Sequence, residues 1–100
     1  MTLDDYQRSA LRTVNPALGT NERLLDAAAG LAEEAGEVLG LVRKRAFQGR
    51  DPSRDRYVEE LGDVLWCLAV TSESLGVSLA EVAQRNIEKL AERHPSGFRA

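Results

Sequence analysis

Glu59-Glu60-Leu61-Gly62-Asp63-Val64-Leu65-Trp66-Cys67-Leu68-Ala69-Val70 is the stretch from which the rest of the chain is read. It opens with Glu60 and Asp63 at i, i+3 and runs into seven apolar residues without a break. As helix, Val64 to Val70 has no polar face over two turns and must be covered on every side. Four short helices in one small chain cannot easily do that. The expectation is an all-α chain, a four-helix bundle completed by homo-oligomerisation.

A second acidic pair lies upstream in Glu33-Glu34-Ala35-Gly36-Glu37, where Glu34 and Glu37 repeat the i, i+3 spacing. On a helix each pair points its carboxylates the same way from adjacent turns. Four converging carboxylates repel one another, which makes poor scaffolding and a natural cage for a hard divalent cation. Oxygen-only ligands favour Mg²⁺, with Mn²⁺ as a substitute, over zinc or copper. A di-iron site would need a histidine three residues after a glutamate on two helices. The single histidine, His94, falls beyond the last helix. Gly36 and Gly62 each lie inside one pair. Each costs about 1 kcal/mol of helix propensity relative to alanine, so both are expected to serve a close approach of the two helices.

The remaining signals are helical too. A first helix is predicted from about Leu3 to Val14, with Thr2 and Asp5 as a capping pair, stopping before Asn15-Pro16. A second runs from near Asn21 to about Phe47 with Leu24, Ala28, Leu31, Ala35, Val38 and Val42 as its apolar stripe. Asp51 as cap and Pro52 at the first position open the third, which reaches about Leu75 before Gly76. Ser78 and Glu81 form a capping box for the fourth, which ends near Arg93. The short turn between the last two predicts antiparallel neighbours. Asn86 falls in the apolar stripe of the fourth helix, where an unpaired buried amide would cost about 1 to 3 kcal/mol.

Composition bounds the function. One hundred residues with 43% hydrophobic and 29% charged side chains read as one domain, residues 1–100. At this size only roughly two-thirds of the unfolded surface is buried, so a partner chain would help. The net charge of -3 argues against a general positive field for a nucleic-acid polymer. The lone Cys67 suits a reducing compartment and reads as a small core residue. No segment reads as a signal peptide or a membrane span, and the expectation is a cytoplasmic protein without a membrane.

Cations complement the acidic pairs. Lys44 lies on the carboxylate flank of the second helix, and Lys89 and Arg93 lie on the shoulder of the fourth beside Asn86. They can neutralise substrate phosphates beside a metal, with Asn86 bonding a phosphate, sugar or base. The plainer alternative is that Lys89 and Arg93 balance a helix dipole and Asn86 bonds a buried carbonyl. Arg43, Arg45, Arg50, Arg54 and Arg56 read mostly as solvated surface. Trp66 reads as core or subunit interface rather than a base-stacking platform.

The chain resembles the MazG-type nucleotide pyrophosphohydrolases of the all-α NTP pyrophosphatase superfamily. The family motif, Glu-Glu-x-x-Glu then Glu-x-x-Asp after a spacer, is matched by Glu33, Glu34 and Glu37 followed by Glu60 and Asp63. Asn86-Ile87-Glu88-Lys89-Leu90-Ala91-Glu92-Arg93 resembles the family's C-terminal element. The resemblance implies an enzyme that hydrolyses a nucleoside triphosphate to the monophosphate and pyrophosphate with Mg²⁺. It implies metal ligands at Glu34, Glu37, Glu60 and Asp63, and an auxiliary carboxylate at Glu33. It further implies substrate contacts at Asn86, Lys89 and Arg93, assembly as a homodimer or dimer of dimers, and housecleaning of nucleotide pools. Tyr6, Gln7 and Arg12 are candidates for the base pocket. The rival reading is a non-catalytic dimerisation or nucleotide-sensing module of the same fold.

Overall fold

The computed structural model describes residues 1–98. Four helices follow in order, α1 (Leu3–Leu11), α2 (Thr20–Phe47), α3 (Arg54–Ser74) and α4 (Leu79–Arg93), and the described residues contain no strand. Local chemistry sets their ends. Thr2 and Asp5 exchange both capping-box bonds, each at 3.0 Å, at the start of α1. That helix stops three residues earlier than its periodicity suggests, because Thr13 and Val14 donate to carbonyls three residues back and tighten the chain into a turn. Ser53, rather than Asp51, caps α3 by accepting from the Arg56 N–H. Gly76 takes φ 74° after α3. Its N–H reaches the Glu73 carbonyl while Val77 reaches that of Ser72, a pairing that closes a helix on a left-handed residue. Ser78 then caps α4 by accepting from the Glu81 N–H.

α2 and α3 form the largest helix contact in the chain. The space for a Cβ on Gly30 is closed by Cys67 Sγ at 3.2 Å, and Arg23 reaches Glu73 at 3.7 Å. Residue numbers therefore rise along one helix as they fall along the other, and the pair is antiparallel. Besides Arg23, Gly30 and Gly40, the buried and half-buried positions of α2 are Leu24, Ala27, Leu31, Glu34, Val38 and Leu41. Facing them on α3 are Tyr57, Glu60, Val64, Cys67, Thr71 and Ser74. Both sets alternate steps of three and four, the spacing of a helix–helix seam. The stripe expected for α2 is thus corrected. Ala28, Ala35 and Val42 face solvent, and Glu34 occupies a seam position in their place.

The glycine expectation is corrected as well. A Cβ added at Gly36 or Gly62 would meet nothing within 4 Å, so neither glycine serves a close approach within the chain. Gly30 does.

α1 packs on α3 and α4 through a small core of Ala10, Ala69 and Leu79, joined by Tyr6, Leu65 and Trp66. Gln7 is buried at the centre of this contact. Its amide nitrogen donates to the Ala69 carbonyl at 3.0 Å and its oxygen accepts from the Leu79 N–H at 2.9 Å. One side chain thereby ties α1, α3 and the start of α4 together, and Gln7 is structural rather than a base contact.

The last two helices are not antiparallel neighbours. The chain bends by 99° between α3 and α4, and α4 touches α1 and α3 but not α2. Only Leu79 of α4 is buried, while Val82, Asn86, Ile87 and Leu90 are exposed. Asn86 is therefore no buried amide within one chain. A closed four-helix bundle is not formed by a single copy.

Candidate metal centre

Seam geometry brings the acidic residues together. The register that sets Gly30 against Cys67 and Arg23 against Glu73 carries Glu34 level with Asp63 and Glu37 level with Glu60. Carboxylate oxygens of Glu34, Glu60 and Asp63 all lie within 4.8 Å of one another. Glu60 is buried, Glu34 half-buried and Asp63 exposed, so the cluster opens from the seam toward solvent. Glu37 and Glu33 are exposed on the same stretch of α2, outside this close group.

Electrostatics records the crowding. Desolvation, then the charges of Asp63, Glu60, Glu33 and Glu37, raises the Glu34 pKa above the ordinary carboxylate value. Desolvation raises the Cys67 thiol, with Glu34 and Asp63 the next contributors, so Cys67 is a neutral thiol at neutral pH. The Tyr6 pKa is raised by desolvation and then by the charges of Asp63 and Cys67. Among the described residues, one cation answers these charges. Arg56, from the basic group read as mostly solvated, reaches Glu60 at 3.4 Å and Glu59 at 3.5 Å.

The donor set fits a hard divalent cation. It offers oxygen atoms from two helices, no imidazole, and a net negative charge that a bare seam would not tolerate cheaply. His94 caps the far end of α4.

The cationic residues stand elsewhere. Lys44 is exposed near the C-terminus of α2, ten residues from Glu34 and so roughly 15 Å along the helix axis. Lys89 lies among Glu81, Gln84, Arg85, Glu88 and Glu92 in a shallow hollow of about 540 Å³ lined by α4 alone. This concavity is the solvated side of one helix and carries none of the acidic cluster. Because α4 does not touch α2, a single copy does not bring Asn86, Lys89 or Arg93 to the carboxylates of α2.

A smaller recess of about 260 Å³ does adjoin the cluster, lined by Asp26, Gly30, Glu34, Asp63, Trp66 and Cys67. Asp26 and Gly30 were not singled out from sequence. Their signal was available, since Asp26, Gly30 and Glu34 recur every four residues and share a helix face. Trp66 is half-buried and its indole N–H donates to Thr13 Oγ1 at 2.7 Å.

The gene 37 protein of Mycobacterium phage L5 is 37% identical over 106 aligned positions, covering 97% of this chain and 92% of its own length. The uncharacterized protein YvdC of Bacillus subtilis (strain 168) is 36% identical over 73 positions, covering 63% of this chain and 68% of its own. No solved structure matches the chain. The model of the MazG nucleotide pyrophosphohydrolase domain matches residues 22–98, a stretch holding both acidic pairs, nearly all of α2 and the whole of α3 and α4. The chain belongs to the MazG nucleotide pyrophosphohydrolase family.

Proposed function

We propose that the protein hydrolyses a nucleoside or deoxynucleoside triphosphate to the monophosphate and pyrophosphate in the presence of Mg²⁺, as housecleaning of nucleotide pools. The observation that carries this reading is the convergence of Glu34, Glu60 and Asp63 from two helices, with Glu34 in a seam position that packing alone would give to a leucine. Glu37, level with Glu60, completes the ligand set, with Mn²⁺ as a substitute ion. A bound divalent cation would supply positive charge against the phosphates and an activated water. Glu33, exposed and adjacent to Glu34 in sequence, would orient that water or take its proton.

The substrate's phosphates need more cations than the described residues of one copy provide at the cluster. Asn86, Lys89 and Arg93 supply them from α4 of a second copy, and Lys44 from the end of α2. Two exposed apolar surfaces support such an assembly. Leu25, Ala28, Ala32, Ala35, Leu39 and Val42 are all exposed and spaced like a second seam along α2. On α3 and at its C-terminal cap, Leu61 and Leu75 are 55% and 62% exposed. Apolar faces of this extent mark an interaction surface. The reading is a homodimer or a dimer of dimers, without a membrane partner; no single helix among the described residues is long and apolar enough to cross a membrane.

A panel of common and damaged nucleoside triphosphates with Mg²⁺, assayed for pyrophosphate and monophosphate, tests the activity. Turnover of at least one member is expected; none would favour the non-catalytic dimerisation or nucleotide-sensing module. Sedimentation at low concentration tests the assembly. It is expected to show no stable monomer, and a folded monomer would remove the partner's α4 from the site.

A further inference from the structure

The recess beside the carboxylates shares Glu34 and Asp63 with the chemistry above, but Asp26, Gly30, Trp66 and Cys67 have no part in it, and its construction is specific. Asp26, Gly30 and Glu34 follow one another along one face of α2, so Asp26 stands roughly 12 Å beyond the level of Glu34. That is about the length of a nucleoside extending from a phosphate held at the cluster. Glycine at position 30 and cysteine at position 67 make the floor. A Cβ on Gly30 would lie 3.2 Å from Cys67 Sγ, so the floor is as low as the two helices allow. Trp66 forms a wall whose orientation is held by the bond from its indole N–H to Thr13. An aromatic wall binds the flat face or edge of any base. At about 260 Å³ the recess holds a base and leaves sugar and phosphates in the open at the cluster.

What distinguishes one base from another is Asp26. It lines the recess and has no ion-pair partner among the described residues. An ionised carboxylate only accepts hydrogen bonds, and its two oxygens take two parallel donors at once. Guanine offers that pattern, with its ring N1–H beside its 2-amino group. Adenine and cytosine set one amino group beside a ring nitrogen lone pair, which the carboxylate repels. Thymine and uracil place a single N–H between two carbonyls.

We propose that this recess is the nucleobase pocket and that Asp26 selects a base whose edge carries two adjacent N–H donors, guanine among the common bases. The proposal rests on the nucleotide-hydrolysing reading and adds to it the substrate class. Guanines damaged on the imidazole side keep the selected edge and remain substrates.

The test is kcat/KM for dGTP, dATP, dCTP and dTTP with Mg²⁺, for the wild type and for Asp26→Asn and Asp26→Ala. The wild type is expected to prefer dGTP. Both variants are expected to narrow the gap between dGTP and the other three by roughly 10- to 100-fold, the span of charge-assisted hydrogen bonds at a partly open site. The loss should fall mainly on KM, because the contact is remote from the reacting phosphorus. Asp26 is exposed, and an unchanged melting temperature will confirm that both variants fold. A wild-type preference for another base overturns the donor rule. Unaltered selectivity in both variants, with hydrolysis still abolished by Asp63→Asn, overturns the pocket and leaves the enzymatic reading standing. No hydrolysis of any nucleotide by the wild type overturns both.

Discussion

Asp63→Asn is expected to lower Mg²⁺-dependent hydrolysis by about 100-fold or more while leaving the metal-free protein as stable as the wild type. The loss follows from removing a charged oxygen from a three-carboxylate group; even outer-shell changes at metal sites typically cost about 10- to 100-fold. The unchanged stability follows from the repulsion within the group. Without a cation, burial and neighbouring carboxylates both disfavour the charge on Glu34, so removing the charge at Asp63 relieves the seam rather than weakening it. Mg²⁺ should reverse the balance in the wild type. A ligand that binds only the folded state at a hundred times its Kd adds about 2.7 kcal/mol, and this gain should disappear in the variant. Thermal melts with and without Mg²⁺ read the stability, and pyrophosphate release reads the activity. Glu37→Gln is expected to lower activity as well. Normal turnover in both variants would sink the four-carboxylate cage.

Gln7→Leu is expected to destabilise the fold by about 2 to 4 kcal/mol, a large share of the roughly 5 to 15 kcal/mol that holds a small domain together. The leucine fits the volume but offers nothing to the buried Leu79 N–H. That N–H belongs to the first turn of α4 and has no carbonyl of its own helix to reach. The Ala69 carbonyl loses a donor at the same time. Gln7→Glu separates the two contacts. It keeps the acceptor for Leu79, loses the donor to Ala69, and buries a charge near the helix junction. It should therefore be at least as damaging as leucine at neutral pH and recover as the carboxyl protonates. Urea unfolding measures both variants, with the midpoint falling and the slope unchanged if the native and unfolded states stay alike. A shift of less than about 0.5 kcal/mol in Gln7→Leu would mean that the junction is held by apolar contact alone.

Gln7 also shows where a linear reading stops. Its place in the first helix is visible from the recurrence of Leu3, Tyr6, Ala10 and Leu11, but its partners lie 62 and 72 residues away. No local pattern records them. Gly36 and Gly62 show the opposite error, a local symmetry that the tertiary contact does not use.

The sequence by itself determined the helices, most of their caps and the acidic faces. Each depends on residues three or four positions apart, and such neighbours meet on any helix whatever surrounds it. Only the tertiary structure decided which stripe of α2 is covered. That helix carries two apolar stripes offset by one residue, one ending in Ala35 and Val42 and the other interrupted by Glu34, and hydropathy favours the first. Packing against α3 buries the second, because the register set by Gly30 and Cys67 turns Glu34 toward Glu60 and Asp63. The direction of α4 is decided in the same way. Ser78 and Gly76 state where the chain turns, but the 99° bend comes from Gln7 and the core it anchors, which only the folded chain assembles.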